Sequence, residues 1–171
     1  MQDNLELTGL SRQEREALVD KELRRATTAI DGLDQRAAAV FGVNRTDLRL
    51  LDLLAARGPM TIGELGRAAG LSSGGMTIAL DRLEEAQYLR REPNPKDRRS
   101  HLLQVTERIG APSAQAFGPL QARMAAVLTT FGKEELEVLS RFLGSWADAI
   151  EATLESGSQL SPGAESSKPD S

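Results

Sequence analysis

The chain contains no cysteine and a single histidine, His101, among 171 residues. Without thiols there are no disulfides, no thiolate nucleophile, no zinc finger and no thiol-based redox sensor. One imidazole leaves almost no material for a zinc site or for histidine-based acid–base catalysis. Aromatic residues are scarce at 4%. No apolar run approaches the 18 residues of a membrane span. The start, Met1-Gln2-Asp3-Asn4-Leu5-Glu6, is acidic and lacks the basic-then-apolar order of a signal peptide, so a soluble cytoplasmic protein is expected. A general excess of positive charge is missing too. There are 21 basic against 25 acidic side chains, a net charge of -4, which excludes a uniformly basic, histone-like binder but not one that concentrates its cations locally. What is present is 40% apolar residues, enough for one domain with an ordinary core.

Helical punctuation dominates the sequence. Ser11 and Glu14 form a capping box, followed by Leu23, Ala26, Ile30, Leu33, Ala37 and Val40 at spacings of three and four. Gly42 ends this long amphipathic helix. Asn44 caps a second, carrying Leu48, Leu51 and Leu54 inward, and Gly58-Pro59 stops it. Thr61-Ile62-Gly63-Glu64 is another capping box and opens a short helix over 62–69 that Gly70 terminates. Ser72 or Ser73 caps a fourth helix with Met76, Leu80 and Leu83 on its apolar stripe. Two helices joined by a short glycine-containing turn are the sequence form of a helix-turn-helix. Residues 88–92 and 100–105 then read as strands, the second with His101, Leu103 and Val105 on one face. Between them lies the turn-rich loop Pro93-Asn94-Pro95-Lys96-Asp97-Arg98-Arg99, so that a two-stranded wing stands beside the helix-turn-helix. Thr106 caps a return to helix, with Leu120, Met124, Val127, Leu128 and Phe131 on one face. Gly132 breaks it, and a last helix over about 133–155 aligns Leu136, Leu139, Leu143, Trp146, Ile150 and Leu154. The Ser-, Gly- and Pro-rich stretch 156–171 is expected to be disordered, and residues 1–10 loose.

Charge follows this layout. Residues 90–99 hold five basic side chains against two acidic ones, a local +3 in an acidic protein. Affinity for DNA comes mainly from neutralising phosphates, and this charge sits where a wing meets the backbone.

The order of elements, with Leu80-Asp81-Arg82-Leu83, the run Arg90 to Ser100, and Leu103-Gln104-Val105-Thr106-Glu107, resembles the MarR family of winged helix-turn-helix transcriptional regulators over roughly residues 20–155. The resemblance implies a mainly α fold with a β wing. In it, 11–42 and 106–155 are dimerisation helices, 44–105 is the winged helix-turn-helix and 87–105 its wing. It implies double-stranded DNA as partner, a homodimer, and most often repression. Arg99 matches the family's wing-tip arginine, which enters the minor groove. Asp97 would orient Arg99 by a charge-assisted hydrogen bond, and Arg98 and Lys96 would meet phosphates. On the fourth helix, Ser72 or Ser73 would offer backbone amides to a phosphate. Gly74 would permit close backbone approach or simply be tolerated there, Thr77 would touch a base edge or a thymine methyl, and Arg82 would reach a base or phosphate unless it pairs with Asp81 or Glu85. Ile78 and Ala79 depart from the family, where many relatives carry basic or polar side chains.

Four further expectations follow. Stripes at 18–41 and 120–154 have no partner within a winged helix and would interlock between two chains, with Phe117, Phe131, Phe142 and Trp146 as interface aromatics. Pro112 and Pro119 should break or bend the helix after the wing between 110 and 119. A small aromatic or anionic effector would release DNA from a cleft lined by some of Phe41, Leu48, Leu51, Phe117 and Met124; no ligand residue is assigned, and no metal or cofactor is expected. The alternative from another class is a winged-helix dimer serving as a protein-interaction module, which would not need a basic wing tip. An enzyme would need a cluster of titratable groups that the sequence does not hold.

Overall fold

The structure is a computed structural model, and it describes residues 9–97 and 99–157. The ends expected to be disordered lie almost wholly outside the described residues. The described chain divides into two units after Pro119, and each is taken by itself.

In the first unit, α1 spans Arg12–Phe41, α2 Arg45–Arg57, α3 Ile62–Ala69 and α4 Ser73–Glu85. The capping boxes predicted at Ser11/Glu14 and Thr61/Glu64 are both closed. Asn44 caps α2 through the Asp47 amide, and Ser72 rather than Ser73 caps α4. Gly42 and Gly70 end α1 and α3 in the left-handed region, at φ 68° each, where a Cβ is costly. Leu48, Leu50, Leu51 and Leu54 of α2 meet Leu65 of α3, Met76, Leu80 and Leu83 of α4, and Ala37, Ala38 and Phe41 at the end of α1 in one buried core.

Strands β2 (Leu89–Pro93) and β3 (His101–Val105) pair antiparallel in the register Leu89–Val105, Arg91–Leu103, Pro93–His101. They form the expected wing. The structure adds a third strand, β1 (Met60–Thr61), on the other side of β3, giving the order β1-β3-β2. Two residues are too few for an alternation pattern, which hides β1 from sequence reading. Its pairing anchors the wing to the start of α3.

The turn from α4 into β2 places Gln87 at φ +61°, a left-handed conformation unusual for a residue with a side chain. Two contacts hold it: the Thr106 hydroxyl donates to the Gln87 carbonyl at 2.6 Å, and Arg108 donates to its side-chain oxygen at 2.6 Å. Tyr88 beside it packs edge-on against Phe41, ring centres 5.5 Å apart, and donates its hydroxyl to the Phe41 carbonyl at 3.0 Å. The end of α1 is thereby tied to the root of the wing.

After a 3₁₀ turn at Glu107–Ile109, capped by Thr106, α5 runs from Gly110 to Leu128. Of the break or bend expected between 110 and 119, the break does not occur. Pro112 falls in the first turn, where no amide donor is needed. Pro119 lies inside the helix and removes one intrahelical hydrogen bond without ending it.

In the second unit, α6 covers Lys133–Gly157. Gly132 precedes it, and its amide donates to the Glu135 carboxylate at 2.7 Å, fixing the first turn. Val138, Phe142, Leu143, Ile150 and Leu154 are exposed along α6, and Trp146 is half-buried. No helix among the described residues is long and apolar enough to cross a membrane.

Candidate nucleic-acid interface

Helix α4 buries Met76, Ala79, Leu80 and Leu83 and turns Ser73, Gly74, Gly75, Thr77, Ile78, Asp81, Arg82 and Glu85 outward. The Ser72 hydroxyl accepts the Gly75 amide at 3.3 Å. That leaves the amides of Ser73 and Gly74 at an exposed helix start, outside the helical ladder. A Cβ at Gly74 would meet no protein atom within 4 Å, so nothing in the fold demands glycine there. The Thr77 hydroxyl donates back to the Ser73 carbonyl at 3.1 Å.

Arg82 is placed otherwise than the sequence suggested. Its guanidinium makes a two-pronged bond to Asp47 of α2, Nη2 to Oδ1 at 2.7 Å and Nε to Oδ2 at 2.9 Å, and not to Asp81 or Glu85. Asp47 is 1% exposed. A carboxylate so buried requires a partner, and the fork geometry of arginine supplies one. The hydrogen bond to Asp47 raises the already high pKa of the guanidinium. Arg82 therefore first serves to fasten α4 to α2.

The wing separates its cations into two groups. Arg90 and Arg91 belong to the stem and are neutralised within the protein. Arg90 pairs with Glu92 at 2.9 Å and reaches Gln104 at 3.2 Å. Arg91 pairs with Glu84 of α4 at 2.6 Å, with Asp81 3.9 Å away; the bond to Glu84 raises its pKa. At the tip Lys96 and Arg99 are exposed, and among the described residues neither forms an ion pair. Arg98 lies outside the described residues. Of the local +3 of the sequence, a net +2 falls at the tip, from three cations and the one carboxylate of Asp97.

The tip is built on its own hydrogen bonds. The Asn94 side chain accepts the Lys96 amide at 3.0 Å and donates to the Ser100 hydroxyl at 2.8 Å. Asp97 does not grip the Arg99 guanidinium as expected. Its carboxylate accepts the Arg99 backbone amide at 3.0 Å, an Asx-type turn that sets the chain direction and leaves the guanidinium outward. Asp97 and Arg99 border an open hollow of about 500 Å³ together with Thr61, Gly63 and His101, so the tip stands over the start of α3. The hydrogen bonds from Thr61 hold the Glu64 carboxyl below its ordinary value, with smaller attractions from Arg67 and then Lys96.

The structure thus places Ser72, Ser73, Gly74 and Thr77 on one exposed helix end, and Lys96, Asp97 and Arg99 on one wing tip. Sequence reasoning missed Asp47 and Glu84, the two carboxylates that fix Arg82 and Arg91. Asp47 lies 35 residues from its partner and carries no local signal. Of the residues named for an effector, Phe41, Leu48 and Leu51 are buried in the core, Phe117 packs on that core, and Met124 is exposed in the second unit.

A three-helix lobe with its last helix presented outward and a cationic β wing beside it defines a winged helix-turn-helix protein. Comparison with known proteins narrows the class. The sequence model of the MarR family matches residues 41–100. The HTH-type transcriptional regulator YcgE of Bacillus subtilis (strain 168) is 37% identical over 145 residues, covering 85% of this chain and 94% of its own length. MhqR, an HTH-type transcriptional regulator of the same strain, is 28% identical over 121 residues, 71% of this chain and 83% of its own. Among solved structures, a MarR family protein from Bacillus stearothermophilus superposes with a TM-score of 0.61 at 20% identity, covering 83% of this chain and 99% of that one. Wild-type MarR from E. coli in its apo form gives 0.52 at 21% identity, with 74% and 93% covered. The chain belongs to the MarR family of transcriptional regulators.

Proposed function

We propose that this protein is a sequence-specific DNA-binding regulator, a repressor acting in the cytoplasm as a homodimer on a pseudo-palindromic operator. The observation that carries the reading is the sorting of charge in the wing: stem arginines paired with neighbouring carboxylates, tip cations left without an ion pair beside an outward helix. A protein-interaction module has no need of that arrangement. On this reading α4 enters the major groove, whose width admits one helix, with the Ser73 and Gly74 amides on a phosphate and Thr77 at a base edge. Lys96 and Arg98 contact phosphates, and Arg99 enters the minor groove. Arg82 positions α4 through Asp47. The apolar residues exposed on α1, α5 and α6, among them Ile30, Val127 and Phe142, are of the kind that a second copy would cover. Two-fold symmetry then sets the recognition helices about 34 Å apart, one DNA turn. The family resemblance supports release by a small aromatic or anionic effector, to which no residue is assigned.

The test is a gel shift against DNA flanking the protein's own gene, repeated across a salt series. The parent should bind with a steep salt dependence, and Arg99→Ala should bind at least tenfold more weakly, on the order of the loss of one inserted arginine. Equal binding by Arg99→Ala would sink the wing assignment.

A further inference from the structure

The outward face of α4 holds a particular set of side chains. Reading from its start, the exposed positions are Ser73, Gly74, Gly75, Thr77, Ile78, Asp81, Arg82 and Glu85. Apart from Arg82, none is arginine, lysine, asparagine, glutamine or histidine. The helix's one cation, Arg82, is held by Asp47 through both Nε and Nη2. Guanine presents the acceptors N7 and O6 to the major groove and is read by a long donor, usually arginine or lysine; adenine is read by asparagine or glutamine. With Arg82 engaged by Asp47, this face presents no uncommitted side chain of either kind. Two of its last three exposed positions, Asp81 and Glu85, are acidic and repel the phosphate walls of the groove, and the third, Arg82, is tied back to Asp47, so close contact belongs to its first half. There the largest side chain is Ile78, 60% exposed. A single exposed aliphatic is ordinary on a protein surface. Its place is not: Ile78 follows Gly74 by one helical turn, on the strip where the missing Cβ allows closest approach. The base feature complementary to an aliphatic branch is the thymine 5-methyl group, which A·T pairs alone display in that groove.

We propose that Ile78 is a specificity-determining residue that reads a thymine methyl, so that each half-site carries an A·T pair beneath it and the α4 contact discriminates by apolar fit rather than by donors to guanine. This inference rests on the DNA-binding reading above.

The experiment uses the full chain and a duplex selected by it from a random pool. Each thymine of the protected half-site is replaced in turn by deoxyuridine, which pairs identically but lacks the methyl. For the parent, one position per half-site should weaken binding roughly three- to fivefold, the effect of one methyl's burial. For Ile78→Ala the same replacement should change binding less than about 1.5-fold, while other thymines behave alike in both proteins. Undiminished sensitivity in Ile78→Ala, or coupling that follows Thr77→Ser instead, overturns the proposal. A parent that selects no sequence and shows no salt-dependent binding overturns the DNA-binding reading itself, a result distinguishable from a failure confined to Ile78.

Discussion

Gly74 stands in the first turn of a helix with open space around its absent Cβ. Alanine there would strengthen α4 by up to about 1 kcal/mol, because glycine is a poor helix former. If the bare backbone exists for a phosphate, the same change must hurt binding. Gly74→Ala is therefore expected to raise the urea midpoint while lowering DNA affinity, two measurements that move in opposite directions only when a ligand, and not the fold, requires the glycine. Asp47 poses the converse case. It is buried, and it accepts two bonds from Arg82. Asp47→Asn keeps the shape but removes the charge, and should cost about 1–3 kcal/mol of stability as the charged hydrogen bonds weaken. Affinity for DNA should also fall, while the slope of log affinity against log salt stays unchanged, since no phosphate contact is lost. Were Arg82 instead a direct phosphate ligand, Arg82→Met would reduce that slope by nearly one.

Among the elements, α3 shows how local signals reach the wing. The hydrogen bonds from Ser11 and Thr61 hold the carboxyls of Glu14 and Glu64 below the ordinary glutamate value. A folded value below the unfolded one means stabilisation present above about pH 4.5 and lost as pH falls through the folded value. Equilibrium unfolding followed from about pH 6 to about pH 3 should therefore show a stability loss on the acid side. Glu64→Gln should flatten that loss, because its side chain no longer titrates. Helix starts and stops of this kind were legible in the sequence because each cap acts within four residues: Ser11, Asn44, Thr61, Gly42 and Gly70 all stand where their spacing predicted. Contacts across the fold were not legible. Nothing near Arg82 points to Asp47, nothing near Arg91 points to Glu84, and β1 is shorter than any periodicity. The Asp97–Arg99 relation failed for a related reason: a motif names the pair but does not say whether the carboxylate meets the side chain or the amide.

For the molecule as a whole, the distribution of apolar surface matters most. An α6 that exposes Val138, Phe142, Leu143, Ile150 and Leu154 along its length has an apolar face of the kind that associates in water. Sizing at about micromolar concentration should return roughly twice the 18.5 kDa chain mass. Leu143→Glu should shift the protein toward monomer and abolish tight operator binding, because one half-site alone loses the second helix's contribution. The chain also holds one tyrosine and one tryptophan, and they fall in different units. Tyr88 is bonded to the Phe41 carbonyl at the root of the wing. Trp146 sits half-buried on α6. Each unit thus carries its own optical label without any engineering. Red-edge excitation selects the indole, so dilution of the unmodified protein will register in tryptophan emission if chains separate at α6. The tyrosine band in the near-ultraviolet will follow melting of the DNA-reading lobe, and the order of the two signals will tell whether assembly or folding gives way first.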